Sequence, residues 1–140
     1  MKHVLLSAIY LMLVGFSASA IGAADLKLIA NPTVGEGTIS VDEFRSVFLL
    51  KDSSLHDGSH VEPVLAKNGP VHQAMLGYLG KTDGGLQAYY RSLVFTGKAS
   101  IPKMLGSDAE MTAYVAKTKG AIGCVSASAT VPGVKIIEIQ

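Results

Sequence analysis

Two short strings dictate where helices must begin. Ser40-Val41-Asp42-Glu43 and Ser107-Asp108-Ala109-Glu110 each place a hydroxyl at the N-cap position and a carboxylate three residues later. That pairing satisfies the free N–H groups of a helix start reciprocally. Behind the first, Val41, Phe44, Val47 and Phe48 recur on one helical face; behind the second, Met111, Tyr114 and Val115 do, and Gly120 stands where a C′ glycine belongs. Two further helices lie between them. Asn68-Gly69-Pro70 opens one whose apolar stripe is Val71, Met75, Leu76 and Leu79, closed by Gly80. Thr82 or Asp83 caps the next, in which Leu86, Tyr89, Tyr90, Leu93 and Val94 face the core and Gly97 is the stop. Strands are expected at Leu26–Ala30, Val61–Leu65, Ala121–Val125 and Val134–Ile139. Pro63 makes the second of these an edge or interrupted strand. The stretches 33–38 and 99–106 read as loops. The order β-α-β-α-α-α-β-β implies a mixed sheet covered by helices, an α/β or α+β architecture.

The first 24 residues stand outside this pattern. Met1-Lys2-His3 is followed by an almost wholly apolar run from Val4 to Phe16, then by Ser17-Ala18-Ser19-Ala20-Ile21-Gly22-Ala23-Ala24. This is the charged, apolar, small-residue order of a secretory signal peptide. Cleavage fits before Ile21 or before Asp25, and Asp25 is preferred because it starts the polar chain. The alternative is an uncleaved anchor, since Val4 to Ala24 also reaches the roughly 20 residues a bilayer span needs. The small residues at its end favour cleavage. The expectation is a leader over 1–24 and a single domain over 25–140, exported to a periplasm. No cysteine near the cleavage region offers a lipid anchor.

With 49% apolar and 16% charged residues, the chain is too hydrophobic and too weakly charged for a disordered one. Its formal net charge of +1 argues against nucleic-acid binding, which needs a basic surface. Cys124 is the only cysteine, so no intrachain disulfide and no Cys-rich zinc site can form.

Three stretches together resemble the phosphate-type (PstS-like) periplasmic substrate-binding proteins of ABC transporters. The first is Asn31-Pro32 followed by the run from Ile39 to Lys51, then Asp57-Gly58 and Val61-Glu62-Pro63-Val64. The second runs from Leu86-Gln87-Ala88-Tyr89-Tyr90 to Phe95-Thr96-Gly97-Lys98, and the third is Lys119-Gly120-Ala121-Ile122-Gly123-Cys124-Val125. The resemblance spans residues 26–126. It implies a single periplasmic-binding-protein-like lobe, the second of the two lobes between which that family holds its ligand. It also implies an exported, non-enzymatic binding module for a small, phosphate-like oxyanion, with an ABC transporter permease or another envelope protein as partner.

The departures from the family pattern are specific. An Arg and a Ser-Gly-Thr turn that would precede the long helix are absent from Leu65-Ala66-Lys67-Asn68-Gly69-Pro70-Val71-His72. Pro70 also removes an N–H donor. Leu55 and Tyr90 stand at tryptophan positions, Leu50 at a glycine and Cys124 at a tyrosine. A second reading follows: an envelope adaptor that has lost small-ligand binding and uses the face of the missing lobe to bind another protein or, as a homodimer, itself.

The anion-site candidate is Lys67, Asn68 and Gly69, where a lysine charge and the N–H groups of a helix start could hold oxyanion oxygens. Its plain alternative is a helix entry capped by Asn68, with Lys67 solvated. His56-Asp57-Gly58-Ser59-His60 has metal-ligand chemistry but reads as a turn without further ligands. Cys124, with His72 as a base, would be the only nucleophile pair, but its apolar neighbours place it in a buried strand. Tyr89, Tyr90 and Tyr114 read as core aromatics with hydroxyls at the core's edge. No catalytic residue, metal site or cofactor is expected.

Overall fold

The computed structural model describes residues 26–140; the leader expected over 1–24 lies outside the described residues. A six-stranded mixed sheet is formed by β1 (Leu26–Ala30), β2 (Thr38–Ile39), β3 (Glu62–Ala66), β4 (Met104–Leu105), β5 (Ala121–Ser126) and β6 (Lys135–Ile139), in the order β2-β6-β1-β5-β3-β4. β3 runs parallel to both β4 and β5, while β1 is antiparallel to β5 and β6. The helices are α1 (Val41–Phe48), α2 (Gly69–Leu79), α3 (Asp83–Phe95) and α4 (Asp108–Lys117).

Strand alternation divides the interior in two. Leu28, Ala30, Leu65, Ile122 and Cys124 point to one face and pack against Phe44, Val47 and Phe48 of α1, Val71, Met75, Leu76 and Leu79 of α2, and Leu86 and Tyr90 of α3. Ile29, Val64, Ala121 and Val125 point to the other face and pack against Met111 and Val115 of α4. Gly123 lies under α4, where a Cβ would come within 2.5 Å of Met111 Sδ. The sheet with helices on both faces is the α/β architecture expected from the element order.

Several local expectations hold and several give way. Ser40 Oγ accepts from Glu43 N–H at 3.0 Å and Ser107 Oγ from Glu110 N–H at 3.1 Å. The reciprocal arms differ: Glu43 accepts from His56 N–H, and Glu110 from Gly106 N–H. The first stretch read as a loop runs into the short strand β2 at Thr38 and the second contains β4, each strand two residues long and too brief to show a period. β3 is internal rather than an edge strand, yet Pro63 fits it. Leu65 and Lys67 N–H groups point to β4, donating to Lys103 and Leu105 carbonyls, while Glu62 N–H points to β5. The missing N–H of Pro63 therefore faces the β4 side, beyond the end of that two-residue strand. Val94 is 46% exposed instead of buried, because α3 buries only Leu86 and Tyr90 fully. α4 ends at Thr118 in an extended conformation, so Gly120 is not its C′ residue. Gly120 has φ +76° beside the His60 carbonyl, which a Cβ would approach to 2.8 Å.

Tyr90 donates its hydroxyl to the Phe48 carbonyl, and Tyr89 to the Leu49 carbonyl at 2.6 Å, latching α3 to the end of α1. Burial pushes the Tyr90 hydroxyl well above the ordinary phenol range. Leu50, at the position of a family glycine, keeps a left-handed backbone with φ 59°.

Candidate functional site

The cleft of interest follows from the topology. β3 leads into α2 on one face of the sheet and the adjacent parallel strand β4 leads into α4 on the other. Connections that leave neighbouring strands toward opposite faces open a crevice at the strands' carboxyl ends, the usual ligand position in α/β sheets. A half-open cleft of about 230 Å³ lies there. Asn68, Gly69 and Pro70 line it from the start of α2, and Gly106, Ser107 and Asp108 from the start of α4. Buried Ala66, Met111 and Cys124 form its floor, with Ser126 at the end of β5.

The two helix starts are chemically unlike. At α4, Ser107 caps, Asp108 Oδ1 accepts from Ser126 N–H at 3.2 Å, and Glu110 Oε2 accepts from Gly106 N–H at 3.2 Å. Two carboxylates thus already neutralise that helix end. At α2 the first turn contains no acidic residue, and the Asn68 side chain makes no capping bond. Gly69 reaches the helix through φ +81°, a conformation that favours glycine. Pro70 has no N–H, so the donors within this first turn are the N–H groups of Gly69 and Val71.

Of the three residues selected from sequence, the structure brings Asn68 and Gly69 into the cleft lining and leaves Lys67 outside it. Lys67 is exposed, and its backbone N–H extends the β3–β4 pairing to the Leu105 carbonyl at 2.9 Å. The facing residues Gly106, Ser107, Asp108 and Ser126 come from 37 or more positions further along the chain than Asn68 and Gly69. The second capping box was the one legible sign of them.

The other candidates find structural partners. Asp57 accepts from the Ser59 N–H at 2.9 Å and the Ser59 hydroxyl at 2.8 Å, and these bonds hold its carboxyl below the usual range. Ser59 Oγ in turn accepts from Gly35 N–H, so the 56–60 turn ties two loops together. Among the described residues no three His, Cys, Asp or Glu side chains are grouped to hold a metal. Burial alone pushes the Cys124 thiol up to about 12, which keeps it protonated and poorly nucleophilic. His72 faces away from that role: Nδ1 lies 2.9 Å from the Ala66 carbonyl and Nε2 2.9 Å from Asp83 Oδ1.

The fold is thus an α/β lobe of the periplasmic-binding-protein type, with a crevice at the switch between two oppositely directed βα units. The solved structures it matches are of that type. A phosphate transport receptor of an ABC system from Vibrio cholerae superposes with a TM-score of 0.64 at 11% identity, over 82% of this chain and 46% of the receptor. A phosphate ABC transporter substrate-binding protein with bound phosphate, from Clostridium perfringens, gives 0.63 at 12% identity, over 82% and 44%. PstS from Borrelia burgdorferi gives 0.59 at 11%, over 83% and 47%. This chain therefore spans less than half the length of each, as a single lobe of that fold does. No protein-family model matches the sequence, nor does any curated protein.

Proposed function

We propose that this protein is an exported, non-enzymatic binding module that holds a small oxyanion in the cleft between the starts of α2 and α4. The observation that carries the reading is the α2 start. It opens into a crevice at the carboxyl ends of parallel strands with no capping side chain and no first-turn carboxylate. Free N–H groups and the positive end of a helix dipole attract a small anion by ordinary electrostatics. Fold neighbours that carry phosphate in ABC transport systems support phosphate as the first ligand to try, and a permease of such a system as a partner. In this reading residues 1–24 are a cleaved leader and 25–140 the single working domain. Lys67, outside the cleft lining, contributes long-range charge rather than a direct bond.

The test is thermal unfolding of the purified protein with millimolar phosphate, sulfate or chloride at matched ionic strength. A ligand that binds only the folded state at a hundredfold excess over Kd stabilises it by about 2.7 kcal/mol. A selective shift for one oxyanion that shrinks in Lys67→Ala and disappears in Gly69→Ala supports the reading. Equal melting in all three salts overturns it.

One observation favours protein binding as the second choice, through a surface other than the face of the missing lobe. At the end of α3, Phe95 is 97% exposed beside Ala88, Arg91 and Ser92, an apolar surface that shares no residue with the cleft lining.

A further inference from the structure

Five large apolar side chains are exposed among the described residues: Val94, Phe95, Ile101, Met104 and Ile136. Four of them fall in one segment, 94–104, which runs from the end of α3 to β4 at the outer edge of the sheet. Charges in this part of the chain are all of one sign. Residues 84–107 contain Arg91, Lys98 and Lys103 and no Asp or Glu. All three cations are exposed, and among the described residues none forms an ion pair. Lys103 Nζ lies 4.9 Å from the centroid of the Tyr114 ring, a contact that keeps its charge at the surface. Residues 36–62 have the opposite balance: Glu36, Asp42, Glu43, Asp52, Asp57 and Glu62 against Arg45 and Lys51. Scattered surface apolar residues are ordinary, but a run of them interleaved with unpaired cations marks a contact surface.

We propose that the segment 94–104 docks on an anionic lipid bilayer. Phe95 and its apolar neighbours enter the boundary between headgroups and acyl chains, while Arg91, Lys98 and Lys103 meet lipid phosphates. Phe95 taken alone suits a protein partner; the cations and the lack of any carboxylate beside it favour lipid. The surface that Phe95 shares with Ala88, Arg91 and Ser92 is shallow rather than grooved. A fluid acyl layer closes around such a projecting side chain without a matching cavity, whereas protein partners bind chiefly through anchors seated in pockets. Lipid charge attracts residues 84–107 and repels the acidic stretch 36–62, which turns the segment toward the bilayer. Among the described residues no helix is long and apolar enough to cross a membrane, and the contact proposed is interfacial. No residue of 94–104 lines the cleft, so this docking does not rest on the oxyanion reading.

The chain has no tryptophan, so Phe95→Trp in the full chain places a single reporter at the contact. Vesicles are made of phosphatidylcholine alone or with roughly a third phosphatidylglycerol, each with and without brominated acyl chains. On the anionic vesicles the emission is expected to move to shorter wavelength and to be quenched by bromine; on phosphatidylcholine alone it does neither. Adding Arg91→Gln and Lys98→Gln weakens vesicle affinity about 25-fold, roughly fivefold per cation. Salt at about 1 M, where screening acts within about 3 Å, releases the protein. Ile136→Trp, at the exposed apolar residue outside the segment, shows no shift and no quenching. The readout is local to position 95 and is separate from any membrane affinity of residues 1–24. An unchanged emission on anionic vesicles overturns the proposal. So does equal quenching of Ile136→Trp, or affinity indifferent to both salt and the two cation changes. Millimolar phosphate at matched ionic strength leaves the vesicle signal in place; its loss assigns the cations to free phosphate and overturns the bilayer. A reporter that answers to lipid-free cell extract and not to vesicles assigns the surface to a protein, and also overturns it. Vesicle binding by a protein that no oxyanion stabilises retains the docking surface and removes the cleft reading alone.

Discussion

The starts of α2 and α4 face each other across one cleft and use opposite solutions to the same problem. Every helix start leaves N–H groups without intrahelical partners. α4 answers with its own side chains: Ser107 caps it, and Asp108 and Glu110 each accept a further backbone N–H. α2 has Asn68 in the cap position without a capping bond, a left-handed glycine and a proline, and no carboxylate. The oxyanion proposal rests on that difference. In that proposal the self-satisfied end is a structural wall, and the end with unspent donors at the crevice is the side that takes up the ligand.

The comparison can be broken in order of expected effect. Met111 belongs to α4 and is 1% exposed beneath the cleft. Met111→Ala should cost about 3 kcal/mol by chemical denaturation, as a buried large-to-small change does. A cost below about 1 kcal/mol would show that α4 is not anchored through this residue. Next comes the shared floor. Burial raises the Cys124 thiol from its ordinary value of 9.0 to about 12 in the fold. The unfolded chain therefore ionises first, and the contribution is intact below about pH 9 and declines as pH rises toward 12. At pH 11 the unmodified protein should have lost about 3 kcal/mol more than Cys124→Ala, relative to pH 8. Identical pH profiles for the two proteins would mean that water reaches the thiol from the cleft.

Gly69→Ala should cost about 1.5 kcal/mol because it forces a β-carbon into the left-handed region, although open space surrounds the site. A neutral result in urea unfolding would mean that the start of α2 can be rebuilt without a glycine. The smallest effects make the sharpest pair. Ser107→Ala should lower stability by about 1 kcal/mol through loss of a working cap. Asn68→Ala, in the equivalent position on α2, should change it by less than about 0.3 kcal/mol, since no cap bond is present to lose. Equal costs for the two substitutions would erase the distinction between the helix ends.

Much of the fold was legible because its signals are local. The hydroxyl–x–x–Glu strings mark α1 and α4 correctly, and Leu26–Ala30 is a strand with the bounds its apolar run predicts. Gly80 closes α2 with φ 65° as expected of a helix-ending glycine. β2 and β4 escaped notice because a two-residue strand has no periodicity of its own; each is defined by the strand beside it. Val94 was misplaced because helical spacing identifies a stripe without stating how wide the covering surface is. Half of the candidate site was legible in Asn68-Gly69-Pro70. The other wall was written in the second capping box, and nothing local joined the two.

By itself the sequence determined the elements whose causes lie within a few residues: caps, breakers and apolar stripes that act through backbone hydrogen bonds and short-range sterics. The tertiary structure alone decided that β3 and β4 lie side by side and send α2 and α4 to opposite faces. That placement opens a crevice between an unspent and a spent helix end, and it moves Lys67 out of that crevice. It also set His72 between an acceptor on β3 and one on α3. The reason is physical. A local motif fixes which donors a segment has to offer, whereas the partners they meet come from chain brought near by strand pairing and by packing on the two faces of one sheet.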